Sequence, residues 1–411
     1  MNPIDRRCFL RAASAVPFVL GARGHGAWLP KGDARALLVL ELVGGNDGLN
    51  TVIPADDAAY GKRRPTLSAV RSGARPLGDG TSLHAALVRL HGLVQGGDAA
   101  VVHGVGYPGP DRSHFRSREI WHTADPAHTR VRAQTTGWLG RTADELAATI
   151  AGVPAAAIGG LEVPLLLKSA RVTVPSIARI EDFQWLSATA DGALPASSPT
   201  RAVPGCAAGG AARDDLRAFV ADTARSAVEL AGDLDTALQR YRPQAEYPAS
   251  ELGRDLQLGS RLLVAGFGTR LLHVAVPGFD THARQLPTHA GLLAQLDAAF
   301  DAFVQDLRAH GRARDVAVLV HSEFGRRTAE NASQGTDHGA AAPAFVCLGG
   351  VAGGPHGEVP DLQHLDDGDL VATADFRRVF GDLLRWLGVE PARVLGAPFA
   401  TLGLFPAVER R

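Results

Sequence analysis

Strand-length apolar runs alternate with amphipathic helical stretches along most of this sequence, which restricts the chain to a mostly parallel sheet covered by helices on both faces. Ala36 to Val43 reads as the first strand, and a helix over Leu83 to Leu93 leads to a second apolar run, Ala99 to Val105. A further helix is expected to start near Ser113. Pro154 to Ile177 holds several short β-prone runs, and "ALPASSPTRAVPGCAAGGAA", Ala193 to Ala212, is a loop of small residues. From Arg213 to Phe267 the residues Leu216, Phe219, Val220, Ala224, Ala227, Leu230 and Leu234 recur at helical spacing, which predicts two long helices turning near Pro243 to Pro248. "RLLHVAVPGFDTH", "DVAVLVHSEFGRR" and "APAFVCLGG" read as three more strands, the first two separated by the amphipathic "LLAQLDAAFDAFVQDLRAHG". "DFRRVFGDLLRWLG" is a closing helix.

With 411 residues and 45% apolar content the chain can bury a large core. A formal net charge of −1 without a basic run removes the electrostatic footprint of a nucleic-acid binder. The N-terminal "MNPIDRRCFLRAASAVPFVLGARGHGAW" joins an arginine pair, Arg6 and Arg7, to a short apolar stretch and then small residues, the pattern of a twin-arginine export signal over residues 1–30. That stretch is shorter than the ~20 residues a membrane span needs, so no stable span is expected there. Export by this route delivers a folded protein to the periplasm or beyond, with the twin-arginine machinery as a partner. Residues 31–411 then form the mature domain, with inserted loop and helices around 150–265. After removal of the signal only Cys206 and Cys347 remain, too few for a disulfide framework or a thiolate metal site.

The carboxylates and imidazoles fall at strand ends. Asp47 follows the first strand in "LVLELVGGNDGLNTVIP"; Asp280 and His282 follow Leu271 to Val276; Glu323 follows Val316 to His321; Asp337 and His338 lie in the loop after that. Carboxyl ends of parallel strands share one edge, where open α/β sheets bind ligands. Four carboxylates and two imidazoles are ligands for one or two divalent ions, with Zn, Mn, Fe, Mg or Ca not distinguished. Taken singly, an Asp after a strand is more often a turn former or a helix cap, and Glu323 beside Arg326 and Arg327 could make only surface ion pairs. It is their joint placement that points to a metal site.

"GYPGPDRSHFRSREIW" places Asp111, Arg112, Ser113 and His114 in a proline-rich turn at the start of a helix. Ser113 is the candidate nucleophile, with Arg112 or Arg116 holding an anion beside the helix N-terminus; equally, Asp111 or Ser113 could simply cap the helix. Three other motifs are set aside. Gly104, Gly106 and Gly109 spell a dinucleotide fingerprint, but Pro108 and Pro110 stand where its helix should begin. "HSEFG" lacks the first glycine of a nucleophile elbow. Ser197, Pro199 and Arg201 imitate a sulfatase pattern but lie in the small-residue loop with no helix pattern after them.

In order, "VGGNDGLNTVIP", "RSHF", "GWLGR", "FDTH", "SEFGRR", "GTDHG" and "ADFRRVFGDLL" resemble the motifs of the secreted bacterial family catalogued as domain of unknown function 1501, grouped with the alkaline-phosphatase and sulfatase superfamily. The resemblance runs from Leu38 to about Phe405. It implies an α/β three-layer sandwich of alkaline-phosphatase type, with Asp47 as first-strand ligand, Ser113 at the nucleophile position, Asp280 and His282 on one metal, and Glu323 and His338 on the other side. The superfamily usually shows Asp-x-x-x-His where this chain has Asp280-Thr281-His282, and an Asp-His pair where it has Glu323-Phe324, so one imidazole is missing. His114, Asp337 or His321 could complete the coordination. The expected activity is metal-dependent hydrolysis of phosphate or sulfate esters, on a small or polymeric substrate. The alternative is a non-catalytic secreted binding or structural protein that keeps the fold.

Overall fold

The computed structural model describes residues 35–127, 131–132, 134–150, 153–160, 162–178, 241–265 and 268–406. The predicted export signal, the small-residue loop with Ser197 to Arg201, and the first of the two long helices lie outside the described residues.

Among the described residues nine strands make the main sheet: Ala36–Leu42 (β1), Ala99–Gly106 (β2), Ala155–Ile158 (β3), Ser176–Ile177 (β4), Leu271–Val276 (β5), Val316–His321 (β6), Ala342–Leu348 (β7), Gly354–His356 (β8) and Ala374–Asp375 (β9). Their order is β8-β2-β7-β6-β1-β5-β3-β4, with β9 also paired to β2. Only β7 pairs antiparallel, to β6 on one side and β2 on the other; every other pairing in the sheet is parallel. The expected mostly parallel sheet is therefore present.

β1 shows why the pattern works. All of "ALLVLEL" is buried, as a strand covered on both faces requires, so apart from Glu41 it reads as an apolar run rather than an alternating one. Its side chains alternate between two cores. Leu38 and Leu40 pack with Leu90 and Leu93 of helix α1 (Val88–Gln95) and with the later helices Glu251–Val264 and Gln285–Ala309. Leu37 and Val39 pack on the opposite face with Ile120 and Trp121 of α2 (His114–Thr123), Trp138 and Leu139 of α3 (Trp138–Leu146), and Phe376 and Phe380 of the closing helix Phe376–Trp386. Continuing in chain order, we call Glu251–Val264 α4, Gln285–Ala309 α5 and Phe376–Trp386 α6. Helix, sheet and helix thus form three layers. Each fully buried Leu contributes about 1.5–3 kcal/mol over its exposed state.

Two helices differ from the sequence reading in their limits. The one expected from Leu83 begins at Val88, because Ser82–Leu83 is instead the middle strand of a small sheet with Val52–Ile53 and Arg75–Pro76. α5 starts at Gln285, ahead of its apolar stripe; Pro287 falls in its first turn, where no amide partner is lost.

Eight of the nine strands point their carboxyl ends to one edge. The turns after β1, β2, β5 and β6 all emerge there, and these carry most of the candidate residues. Because β7 runs the other way, it also starts at that edge. The segment from Ser322 to Ala341 is consequently a long hairpin loop lying along the edge, not a crossover.

Candidate metal centre

The turn off β1 is built for close approach. Gly44 and Gly45 have φ of +116° and +69°, and a Cβ on Gly44 would stand 2.4 Å from the Asp280 amide nitrogen. Their amides are fixed by one carboxylate: Gly44 N donates to Glu323 Oε1 at 2.9 Å and Gly45 N to Glu323 Oε2 at 3.1 Å. Glu323 is fully buried, and Ser322 Oγ gives Oε2 a further hydrogen bond at 3.0 Å.

The opposite side of the turn is held by Arg326, whose guanidinium is fully buried. It donates to the carbonyls of Gly45 and Thr336 at 2.6 Å each, to Phe279 at 3.2 Å, to the Gly44 carbonyl, and to Asp280 Oδ1 at 2.5 Å. Sequence left this arginine as a surface group; the structure makes it the junction of three loops. Asp280 is half-exposed. Partial burial raises its carboxyl, but Arg326 outweighs this and holds it below the ordinary range.

Three imidazoles face that carboxylate. His338 Nδ1 lies 2.8 Å from the Arg112 carbonyl; a carbonyl only accepts, so the proton is on Nδ1. His114 Nδ1 bonds Glu323 Oε1 at 2.9 Å, and His282 Nδ1 bonds Asp337 Oδ1 at 3.2 Å. In the neutral rings each Nε2 is then a lone-pair acceptor. All three Nε2 atoms are aimed at Asp280: His282 is 2.9 Å and His338 3.2 Å from Oδ1, and His114 is 3.5 Å from Oδ2. The Nε2 atoms of His282 and His338 are 3.0 Å apart, and that of His114 is buried with no hydrogen-bond partner among the described residues. The ligand atoms of His114, Asp280 and His338 lie within 4.8 Å of one another. Acceptors crowded on one point repel unless positive charge sits between them. Burial also lowers the His338 pKa, favouring its neutral, ligating form.

Of the six predicted ligands, then, Asp280, His282 and His338 come face to face. Glu323 and Asp337 stand behind imidazoles and orient them, the usual place of carboxylates around metal-binding histidines. Asp47 goes elsewhere. Its carboxylate is fully buried, meets Arg64 Nη1 at 2.7 and 2.8 Å, and also accepts from Gln285 Nε2 at 2.5 Å, Thr336 Oγ1 at 3.3 Å and the Asn50 amide at 3.1 Å. It caps the single helical turn Gly48–Thr51 and neutralises Arg64, with no oxygen left over. His114, one of three residues the sequence offered for the missing imidazole, takes a place at the centre; its signal was "RSHF". His321 does not: it is buried in the core, stacked on Trp121 at 4.7 Å.

Ser113 is exposed at the N-terminus of α2, and its hydroxyl makes no capping bond; Asp111 Oδ1 instead takes the Ser113 amide at 2.7 Å. Neither predicted anion-holding arginine is free. Arg112 is paired with Asp369 and Asp367, and Arg116 reaches Glu119 and the Pro126 carbonyl, each at 3.4 Å.

α2 carries more of this polar work. His114, Arg118 and His122, four residues apart on one stripe, meet Glu323, Glu41 and Glu41 in turn, with Arg118 Nε at 2.9 Å and His122 Nε2 at 3.0 Å. His273 Nε2 adds a third contact to buried Glu41 at 2.9 Å. Despite burial, which raises it, Glu41 is held well below the ordinary carboxyl range by His122 and His273.

The family described as "Protein of unknown function (DUF1501)" matches residues 98–400. The chain belongs to this family. No curated protein matches the sequence. Among solved structures, one similar to this DUF1501 chain is a protein in the alkaline phosphatase superfamily from Vibrio parahaemolyticus, with a TM-score of 0.42 and 12% identity, covering 97% of this chain and 80% of that one. The lipoteichoic acid synthase LtaP from Listeria monocytogenes has a TM-score of 0.40 and 9% identity over 89% of this chain and 80% of its own. A sulfatase from Pseudoalteromonas sp. has a TM-score of 0.37 and 11% identity over 97% and 72%. At such scores these likenesses bear no weight for activity. Among the described residues of this DUF1501 protein, no helix is long and apolar enough to cross a membrane.

Proposed function

We propose that this chain is an exported, metal-dependent hydrolase of phosphate or sulfate esters, acting in the periplasm or outside the cell on a small or polymeric substrate. The observation that carries the metal reading is the set of three Nε2 lone pairs aimed at the Asp280 carboxylate, each fixed by an acceptor on its own Nδ1. Three imidazoles and one carboxylate suit Zn, Mn or Fe better than Ca or Mg, which prefer oxygen. His114, His282, His338 and Asp280 hold the ion; Glu323 and Asp337 set the rings.

A divalent ion supplies Lewis-acid charge and makes a nearby hydroxyl more acidic. Ser113 is the nucleophile in this reading: its hydroxyl is exposed, released from capping, and one residue from His114. The amides that open α2 offer an anion their partial positive charge. The export claim rests on the arginine pair and short apolar stretch of residues 1–30.

The test is metal analysis of protein purified from its native compartment, with aryl-phosphate and aryl-sulfate turnover. About one or two transition-metal ions per chain are expected, with Asp280→Ala losing metal and Ser113→Ala losing turnover while keeping it. Less than one ion per chain and no turnover lost in either variant would sink the reading. Stoichiometric metal without turnover of any ester points to the non-catalytic binding protein.

A further inference from the structure

Between β8 and β9 a small hairpin pairs Leu365–Asp366 with Asp369–Leu370. Its turn, Asp367-Gly368, lies on two arginines that border the metal centre. Arg112 Nη2 meets Asp367 Oδ2 at 3.0 Å and its Nε meets Asp369 Oδ2 at 2.8 Å. Arg327 Nη2 meets Asp367 Oδ2 at 3.5 Å and its Nε meets Asp369 Oδ1 at 3.4 Å. Both arginines are one bond removed from the centre itself. The Arg112 carbonyl holds the His338 ring and Arg112 precedes Ser113, while Arg327 follows Arg326 and its amide donates to the Asp337 carbonyl at 2.9 Å.

The two acids are unequal. Asp369 is 2% exposed and Asp367 is 74% exposed. Buried Asp369 faces the Nε of both guanidinium groups. An exposed pair such as those of Asp367 is worth only about 0–1 kcal/mol, small enough for an outside anion to replace. Asp367 also sits at φ +50°, a conformation Asp and Asn tolerate better than most residues.

We propose that Arg112 and Arg327 form an oxyanion-binding subsite beside the metal centre, with the Asp367 carboxylate as its built-in occupant. A sulfate, phosphate or carboxylate oxygen takes the place of Asp367 Oδ2 between the Nη2 atoms of Arg112 and Arg327, while Asp369 keeps the Nε of each guanidinium. On a substrate this is a second anionic group next to the scissile one, and that role rests on the ester-hydrolase reading above. The binding itself does not.

Titration calorimetry with sodium sulfate at low ionic strength, on the protein as purified and again after chelation, tests this. Asp367→Asn keeps the backbone conformation and removes the competitor, so sulfate should bind it up to about fivefold more tightly than the parent. The gain should survive chelation, which separates it from any metal-bound anion, and should vanish when Arg327→Gln or Arg112→Gln is added. Sulfate affinity unchanged by Asp367→Asn, or a gain that persists without Arg327, overturns the subsite. A protein found to hold no metal and to turn over no ester fails the hydrolase reading while leaving this outcome intact.

Discussion

Arg326 and Asp280 meet at 2.5 Å, and the same guanidinium spans carbonyls from the loops after β1, β5 and β6. One buried cation therefore aligns the carboxylate on which three imidazoles converge. Arg326→Lys keeps the charge but not the planar fork, leaving several carbonyls unpaired. We expect a loss of about 3 kcal/mol in urea unfolding and a ten- to hundredfold weaker zinc affinity. A stability change under about 1 kcal/mol would remove Arg326 from this role.

Glu323 orients His114 without facing the centre. Glu323→Gln puts an amide donor where three donors and a hydroxyl already point. Competitive zinc titration should show an affinity reduced about ten- to hundredfold, as for other carboxylates behind metal-binding histidines. An unchanged affinity would show that His114 needs no such partner.

Asp47 and Asp280 should separate stability from metal binding. Asp47→Ala leaves Arg64 buried without its counterion, at a cost of about 3–5 kcal/mol, yet the folded fraction should keep its full metal content. Asp280→Ala also strands a buried guanidinium, that of Arg326, so it should lose stability too, but its folded fraction, unlike that of Asp47→Ala, should hold no metal. Loss of metal from folded Asp47→Ala protein would restore Asp47 as a ligand.

The strands were legible because a strand covered on both faces must be almost wholly apolar, as "ALLVLEL" and "VAVLVH" are but for Glu41 and His321. Placement of the carboxylates at strand ends followed from the same runs. What sequence could not show is which acid already has a buried cation. Arg64 lies seventeen positions after Asp47 in a stretch with no visible periodicity, and only folding brings them to 2.7 Å. Arg326 was hidden for the same reason, since a charged pair in a loop reads as surface until three loops close over it. Glu41 was overlooked inside β1, where its partners come from two separate elements, α2 and β5.

His289 provides a pH test. It is buried on α5, its Nε2 lies 2.9 Å from Asn46 Oδ1, and burial lowers its pKa to about 4. The unfolded value is about 6.5. Between those limits the unfolded chain binds the extra proton, so this group's stabilising effect is complete above about pH 6.5 and is lost as pH falls toward 4. The slope is at most about 1.4 kcal/mol per pH unit. His289→Gln should flatten the urea-midpoint profile in that window by about one proton; an identical profile would contradict it.

The reversed direction of β7 makes the loop bearing Glu323, Arg326, Asp337 and His338 a peninsula and not a bridge. Between parallel strands the chain must cross a sheet face before the next strand can start, so the width of the sheet dictates how much chain is needed. Here both shores are the same shore. Residues can be added or removed at its tip without rethreading a strand, and doubling such a loop costs only about 0.6 kcal/mol. The part of the molecule that supplies His338, and the carboxylates behind the His114 and His282 rings, is thus also the part whose outline the sheet leaves free to change.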